Sequence, residues 1–202
     1  MNSKERVLTT INIEEPEKVP LFVEVVPEVE QKSYRKYKLK GNELLTFLGN
    51  DIVNCAIGVV KSWGQIYRGK NEVDEWEIRW KTVKHKKGMY AEMIYKQLEK
   101  SSFEDLKSYK ISDPEDEKRY SEVIRLNEKF GDSYAVIVDL SCIIFELPWH
   151  LRGMDNLMMD MYTNKKFEYI LMDKILEFYI YAAKKLAKIG IDIIWIGDDA
   201  GM

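Results

Sequence analysis

Two adjacent carboxylates, Asp198 and Asp199, stand directly after the apolar run Ile191 to Ile196, where they could hold a metal, a cationic group or a proton. The plainer reading is a solvated turn that caps a following helix. A second group, Trp149, His150 and Arg152, follows the apolar run Tyr134 to Leu140. There an arginine suits an anion and a histidine suits proton exchange near neutrality. Equally, Pro148-Trp149 would pack the connection while Arg152 caps a helix or pairs with Asp155. Glu24 is a carboxylate within the apolar run Val19 to Val26. Burying it unpaired is costly, so a functional role or an internal salt bridge is expected there.

These residues sit on a chain of 202 residues that is 46% hydrophobic and 12% aromatic, enough for one sizeable core. Lys and Arg (31) nearly balance Asp and Glu (34), and the net charge of -3 gives no electrostatic reason to approach nucleic acid or an anionic membrane. The two cysteines, Cys55 and Cys142, lie in apolar runs with no Cys or His at metal-ligand spacing. Buried free thiols are expected, which fits a reducing cytoplasm. The polar opening lacks the apolar core of a signal peptide, and no apolar run approaches the roughly 20 residues that span a bilayer. A soluble cytoplasmic protein is the expectation.

The elements that must position the candidates alternate in texture. A short helix from Ser3, capped by Ser3 and with Lys4, Glu5 and Arg6 on its wet side, precedes strand one at Val19 to Val26. A second short helix, Gly41 to Gly49, precedes strand two at Asp51 to Ile57. Trp76, Ile78 and Trp80 then alternate with charged residues, the period of a strand with one wet face, and Met89, Ala91 and Met93 resume it after a turn at Lys86 to Gly88. Residues 58–109 thus read as an inserted hairpin, either simple hairpin core or a lid. Asp113-Pro114 opens a helix ending at Gly131, and strand three runs from Tyr134 to Leu140. A long helix from Asn164 carries the stripe Phe167, Ile170, Ile175, Phe178, Ala182, Leu186 and Ile189, and strand four is Ile191 to Ile196.

Buried strands alternating with amphipathic helices make an α/β protein with a parallel sheet. Four strands complete an open doubly wound sheet, whereas a closed barrel needs eight. Pattern alone leans to the open sheet. A dinucleotide site is not expected, because Pro27-Glu28-Val29-Glu30 stands where a glycine-rich fingerprint would follow strand one.

Three segments carry a resemblance: the opening SKERVLTTIN with VPLFVE, the run Phe145 to Asp155 (FELPWHLRGMD), and the closing GIDIIWIGDDAGM. In order and spacing they resemble the uroporphyrinogen decarboxylase superfamily, which also holds the corrinoid-dependent methyltransferases. The resemblance covers essentially residues 1–202. It implies a partial (β/α)8 TIM barrel of about four parallel strands with an inserted β-hairpin, and an active site at the carboxyl ends of the strands. Members of the superfamily continue well past the position of Gly201, so a truncated or split N-terminal half is implied. Such a half would be either part of an enzyme or a non-catalytic remnant that pairs with another copy or a complementing half-barrel.

Carried over residue by residue, the decarboxylase activity is not supported. Its members hold porphyrinogen carboxylates with an Arg-Gln-Ala-Gly-Arg run after strand one, where this chain has Glu24-Val25-Val26-Pro27-Glu28. Their catalytic aspartate, in a Phe-Ser-Asp-Ile motif, falls near Gly58, and the tyrosine after a Pro-Trp pair falls on Met154. The methyltransferase branch uses a zinc site, usually His-x-Cys and a later Cys, in the second half of the barrel. Neither His85 nor His150 has a Cys two residues away. Zinc and a corrinoid partner are therefore implied only if the chain is methyltransferase-like. Its expected partners are a small-molecule substrate or a corrinoid protein.

Overall fold

The computed structural model describes residues 1–58, 72–86, 88–140 and 142–198. In chain order the helices α1 (Ser3–Ile11), α2 (Pro27–Tyr37) and α3 (Gly41–Phe47) precede strand β1 (Ile52–Ala56). Strands β2 (Glu72–Val73), β3 (Arg79–His85) and β4 (Gly88–Tyr95) follow, then α4 (Phe103–Ser108) and a 3-10 turn at Glu117–Tyr120. The rest is α5 (Ser121–Phe130), β5 (Ala135–Asp139), α6 (Glu146–Arg152), α7 (Met154–Thr163), α8 (Lys165–Ile189) and β6 (Ile193–Trp195). Two compact units divide these elements. One comprises Met1–Ile57, Tyr120–Asp139 and Leu186–Trp195, and the other comprises the described residues that remain.

The first unit holds a parallel sheet in the order β1-β5-β6, with Val53 opposite Val136 and Val138 opposite Ile194. Ala135, Val136, Val138 and Val53 are buried completely, as expected of β-branched strands covered on both faces. Helix α1 is capped by Asn2 rather than Ser3: Asn2 accepts from the Glu5 N–H while Glu5 accepts from the Asn2 N–H, each at 2.8 Å. That frees the Ser3 hydroxyl to donate to Asp51 at 2.7 Å. Arg6, expected on the wet side, is buried, because its guanidinium meets both Asp51 and Glu17. Helix α2 has no counterpart in the sequence reading. Its residues are too polar to show an apolar stripe, and Pro27 at its first turn is the local cue.

The expected first strand is corrected. Val19 to Val26 is extended but forms no ladder, so the parallel sheet has three strands among the described residues rather than four. Polar side chains take the place of a ladder. Asp51 accepts from the Leu21 N–H at 2.8 Å while its own N–H donates to the Leu21 carbonyl at 2.9 Å. The Asn50 amide accepts from the Val23 N–H and donates to the Val23 carbonyl, presenting the same donor and acceptor as a peptide unit. Asn54 reaches the Glu24 carboxylate at 3.1 Å. Residues 21 and 24 therefore lie beside 51 and 54, so the segment runs parallel to β1.

In the second unit β2, β3 and β4 form an antiparallel sheet, with Lys81 opposite Glu92 and Val83 opposite Tyr90. The expected strand through Trp76, Ile78 and Trp80 is corrected: β3 begins only at Arg79, and Trp76 and Ile78 lie in the turn before it. Asp74 builds that turn by accepting from the N–H groups of Trp76 and Ile78 and from the Trp80 indole at 2.7 Å. All three apolar side chains are still buried, and Trp76 packs edge-on against Phe178 of α8. The helix expected from Asp113 starts only at Ser121, after the 3-10 turn, because Asp113 caps a local turn at Glu115 instead. On α8 the buried residues are Phe167, Leu171, Ile175, Phe178, Ala182 and Leu186, and Leu171 takes the place expected for Ile170.

Replacing Asp51 by alanine removes acceptors from Ser3, Arg6 and Leu21 together. The expected loss is about 2 to 3 kcal/mol of unfolding free energy, against about 1 kcal/mol for Ser3→Ala. Urea-unfolding midpoints of the two variants check it, and equal losses would show that the hydroxyl alone matters.

Candidate functional site

Four of the sequence candidates, Trp149, His150, Arg152 and Asp198, fall in the second unit. Asp198 lies three residues after β6 in the chain. Its carboxylate accepts from three successive backbone N–H groups: Ile144 at 2.5 Å, Phe145 at 2.7 Å and Glu146 at 2.8 Å. These are donors that the start of α6 would otherwise leave without acceptors, and a negative charge at a helix start is favourable. The Cys142 N–H donates to the Gly197 carbonyl at 2.8 Å beside them. Asp199 lies outside the described residues.

Helix α6 carries His150 and Trp149. The imidazole is buried, with the Trp149 ring edge-on at 4.1 Å and the Trp80 ring at 5.5 Å. Burial pushes its pKa down to about 4 and outweighs the Asp198 carboxylate, which acts the other way. His150 is accordingly a neutral base at pH 7. Arg152 is committed within the fold. It donates to Asp160 at 2.7 Å, to the carbonyl oxygens of Leu98 and Ser101, and stacks over Phe167 at 4.1 Å. Its carboxylate partner is Asp160, not Asp155, because residue 160 lies on the buried side of α7. Arg152 thereby ties the turn after β4 to the α6–α7 corner, where the Leu98 N–H meets the Leu151 carbonyl.

At that corner Gly153 adopts φ +89°, a conformation that favours glycine. A groove of about 410 Å³ opens beside it, walled by Trp149, Lys96, Glu99 and Asp155. Lys96 and Glu99 are paired at 2.8 Å on its rim. Glu24 belongs to the other unit, where it is exposed rather than buried and accepts from Asn54. Its exposure removes the desolvation cost that singled it out in the sequence.

Sequence reasoning missed Asp160, Asp74 and the Lys96–Glu99 pair. The available signal was the placement of Asp160 amid apolar residues, since a buried carboxylate needs donors, whereas Asp74 stands among Glu72, Glu75 and Glu77 and gives no such signal. Zinc does not fit what is present. Among the described residues no three His, Cys, Asp or Glu side chains gather into a metal site. The Cys55 thiol, pushed up to about 12 by burial and by the Glu122 carboxylate, is not a thiolate at neutral pH.

No family model matches the sequence, and no curated protein does. Among solved structures, the fold is similar to that of a methyltransferase from Methanosarcina mazei, with a TM-score of 0.62 and 14% sequence identity. The match covers 98% of this chain and 59% of that one, so this chain spans little more than half of its neighbour's length. The likeness is one of fold, an α/β architecture with a parallel sheet. Among the described residues no helix is long and apolar enough to cross a membrane.

The depressed His150 pKa has a sign that can be tested. Between pH 6.5 and about 4 the unfolded chain binds a proton at His150 that the folded chain refuses. Folding stability therefore falls as the pH drops through that window, by up to about 3 kcal/mol. Unfolding midpoints measured from pH 7 to pH 4 should show this loss for the wild type. His150→Phe should flatten that component, and an unchanged slope in the variant would assign the loss to other groups.

Proposed function

We propose that this chain belongs to the methyltransferase side of the uroporphyrinogen decarboxylase superfamily, and that its parallel strands are part of a β/α barrel that binds a corrinoid or its small-molecule methyl acceptor at their carboxyl ends. The observation that carries this reading is the fold likeness to a methyltransferase over 98% of the chain. The sequence supports the choice of branch. Glu24 and Glu28 stand where a decarboxylase needs arginines, Gly58 stands near its aspartate position, and Met154 stands at its tyrosine position.

In this reading Asp198 holds residues 144–146 and the start of α6 in one conformation, and His150 beneath them stays neutral and excludes water together with Trp80 and Trp149. Trp149 and Gly153 offer an aromatic wall and a close backbone approach at the groove. No step is assigned to zinc, because the described residues do not supply its ligands.

Calorimetric titration with methylcobalamin tests the proposal, followed by absorbance measurement of its demethylation in the presence of a small thiol. Saturable binding that weakens in Trp149→Ala is expected. Absence of binding, together with decarboxylation of uroporphyrinogen by the same preparation, would place the chain on the other branch.

A further inference from the structure

Charge is distributed unevenly over the first unit. The stretch KSYRKYKLK, from Lys32 to Lys40, holds Lys32, Arg35, Lys36, Lys38 and Lys40, and no Asp or Glu occurs from Gln31 to Asn42. A whole-chain net charge of -3 conceals this concentration. All five cations are exposed, and among the described residues none of them forms an ion pair. Two of them rest on tyrosines instead: Lys36 lies over the Tyr37 ring at 4.8 Å and Lys38 over the Tyr34 ring at 5.7 Å.

Helix α2, which carries most of this stretch, buries none of its 11 residues. A helix of that length is marginal on backbone bonds alone, so α2 depends on its neighbour. The Tyr37 ring meets Phe47 of α3 at 5.1 Å, and the Glu30 carboxylate accepts from the Gly41 N–H at 2.6 Å. An apolar rim is left in water beside the cations. Val26 is 59%, Phe47 57% and Leu48 49% exposed, and Val29 shares a helical face with Lys32 and Lys36, three and seven residues on.

Cations in the last turn stabilise a helix, but Arg35 and Lys36 already fill that place, and Lys38 and Lys40 lie beyond the last helical residue. A single-stranded nucleic acid would engage the cations and the tyrosines and leave Val26, Phe47 and Leu48 in water. An anionic bilayer takes both groups. Apolar side chains enter the headgroup boundary, tyrosines sit at its level, and long lysine stems keep their ammonium groups among the lipid anions. We propose that the α2–α3 face of the first unit docks on a membrane surface rich in anionic lipid, with the five cations as its charged contacts and Phe47 and Leu48 as its apolar ones. This contact is independent of the methyltransferase reading.

Cosedimentation of the full chain with lipid vesicles tests it. Binding to vesicles of mixed phosphatidylcholine and phosphatidylserine is expected at low salt, weakening as salt is added, with none to phosphatidylcholine alone. Replacing Lys36, Lys38 and Lys40 together by glutamine should weaken that binding about a hundredfold. Phe47→Ser with Leu48→Ser should weaken it as well while the salt dependence stays. All five changes are at exposed positions, and an unchanged far-UV circular dichroism spectrum shows that the fold is kept. Failure of the wild type to bind the mixed vesicles, or binding indifferent to the glutamine variant, would overturn the proposal. Binding that ignored the serine variant would reduce it to general charge attraction and overturn the docking face. A fluorescent single-stranded oligonucleotide that bound where the vesicles did not would give the surface to nucleic acid instead.

Discussion

The first unit is organised around one carboxylate at the entrance to β1. Asp51 is buried, and it accepts from the Ser3 hydroxyl, the Arg6 guanidinium and the Leu21 N–H. Those three contacts join helix α1, the extended segment 19–26 and the central sheet. Burial alone would raise the pKa of this carboxyl, yet the bonds from Leu21 and Ser3 and the charge of Arg6 hold it below the ordinary aspartate value. The net shift shows that the donors outweigh the desolvation. Asn50 extends the arrangement by one residue, and Asn42 takes both backbone groups of Asn54 further along the same edge. Amide side chains thus stand where a neighbouring strand would ladder.

The second unit follows the same rule with a different result. Two polar residues that look chemically active in the sequence are drawn into holding backbone, Asp198 by three N–H groups and Arg152 by carbonyl oxygens together with the Asp160 carboxylate, and Asp74 likewise holds a tight turn. Arg119 is buried against Phe178 and meets Glu75 as an ion pair at 2.5 Å without the alignment of a hydrogen bond. Such groups fix the geometry of a corner rather than react. Among the described residues, the Trp149 ring and the groove beside Gly153 offer an open surface.

A common architecture hosts many chemistries, and what passes between proteins at 14% identity is the framework that places a site. The likeness shows that framework alone, and methyl transfer is the proposal that ligand binding tests.

The sequence by itself determined where apolar strands β1, β5 and β6 would form, that they would be parallel, and that a turn-linked hairpin would interrupt them. Those outcomes depend on local runs of β-branched residues and on helical stripes such as Phe167, Ile175, Phe178, Ala182 and Leu186, which are periodic and therefore legible. Only the tertiary structure decided what the polar residues do. Arg6 looks solvated from its helix and is buried because Asp51, 45 residues away, is there to meet it. Glu24 looks buried from its neighbours and is exposed because nothing described packs over segment 19–26. Val19 to Val26 has the composition of a strand, but a ladder requires a partner, and on that edge the partners are the side chains of Asn50 and Asp51. Pairing over long sequence separations leaves no periodic trace, so the role of a charged side chain becomes visible only once its neighbours are in place.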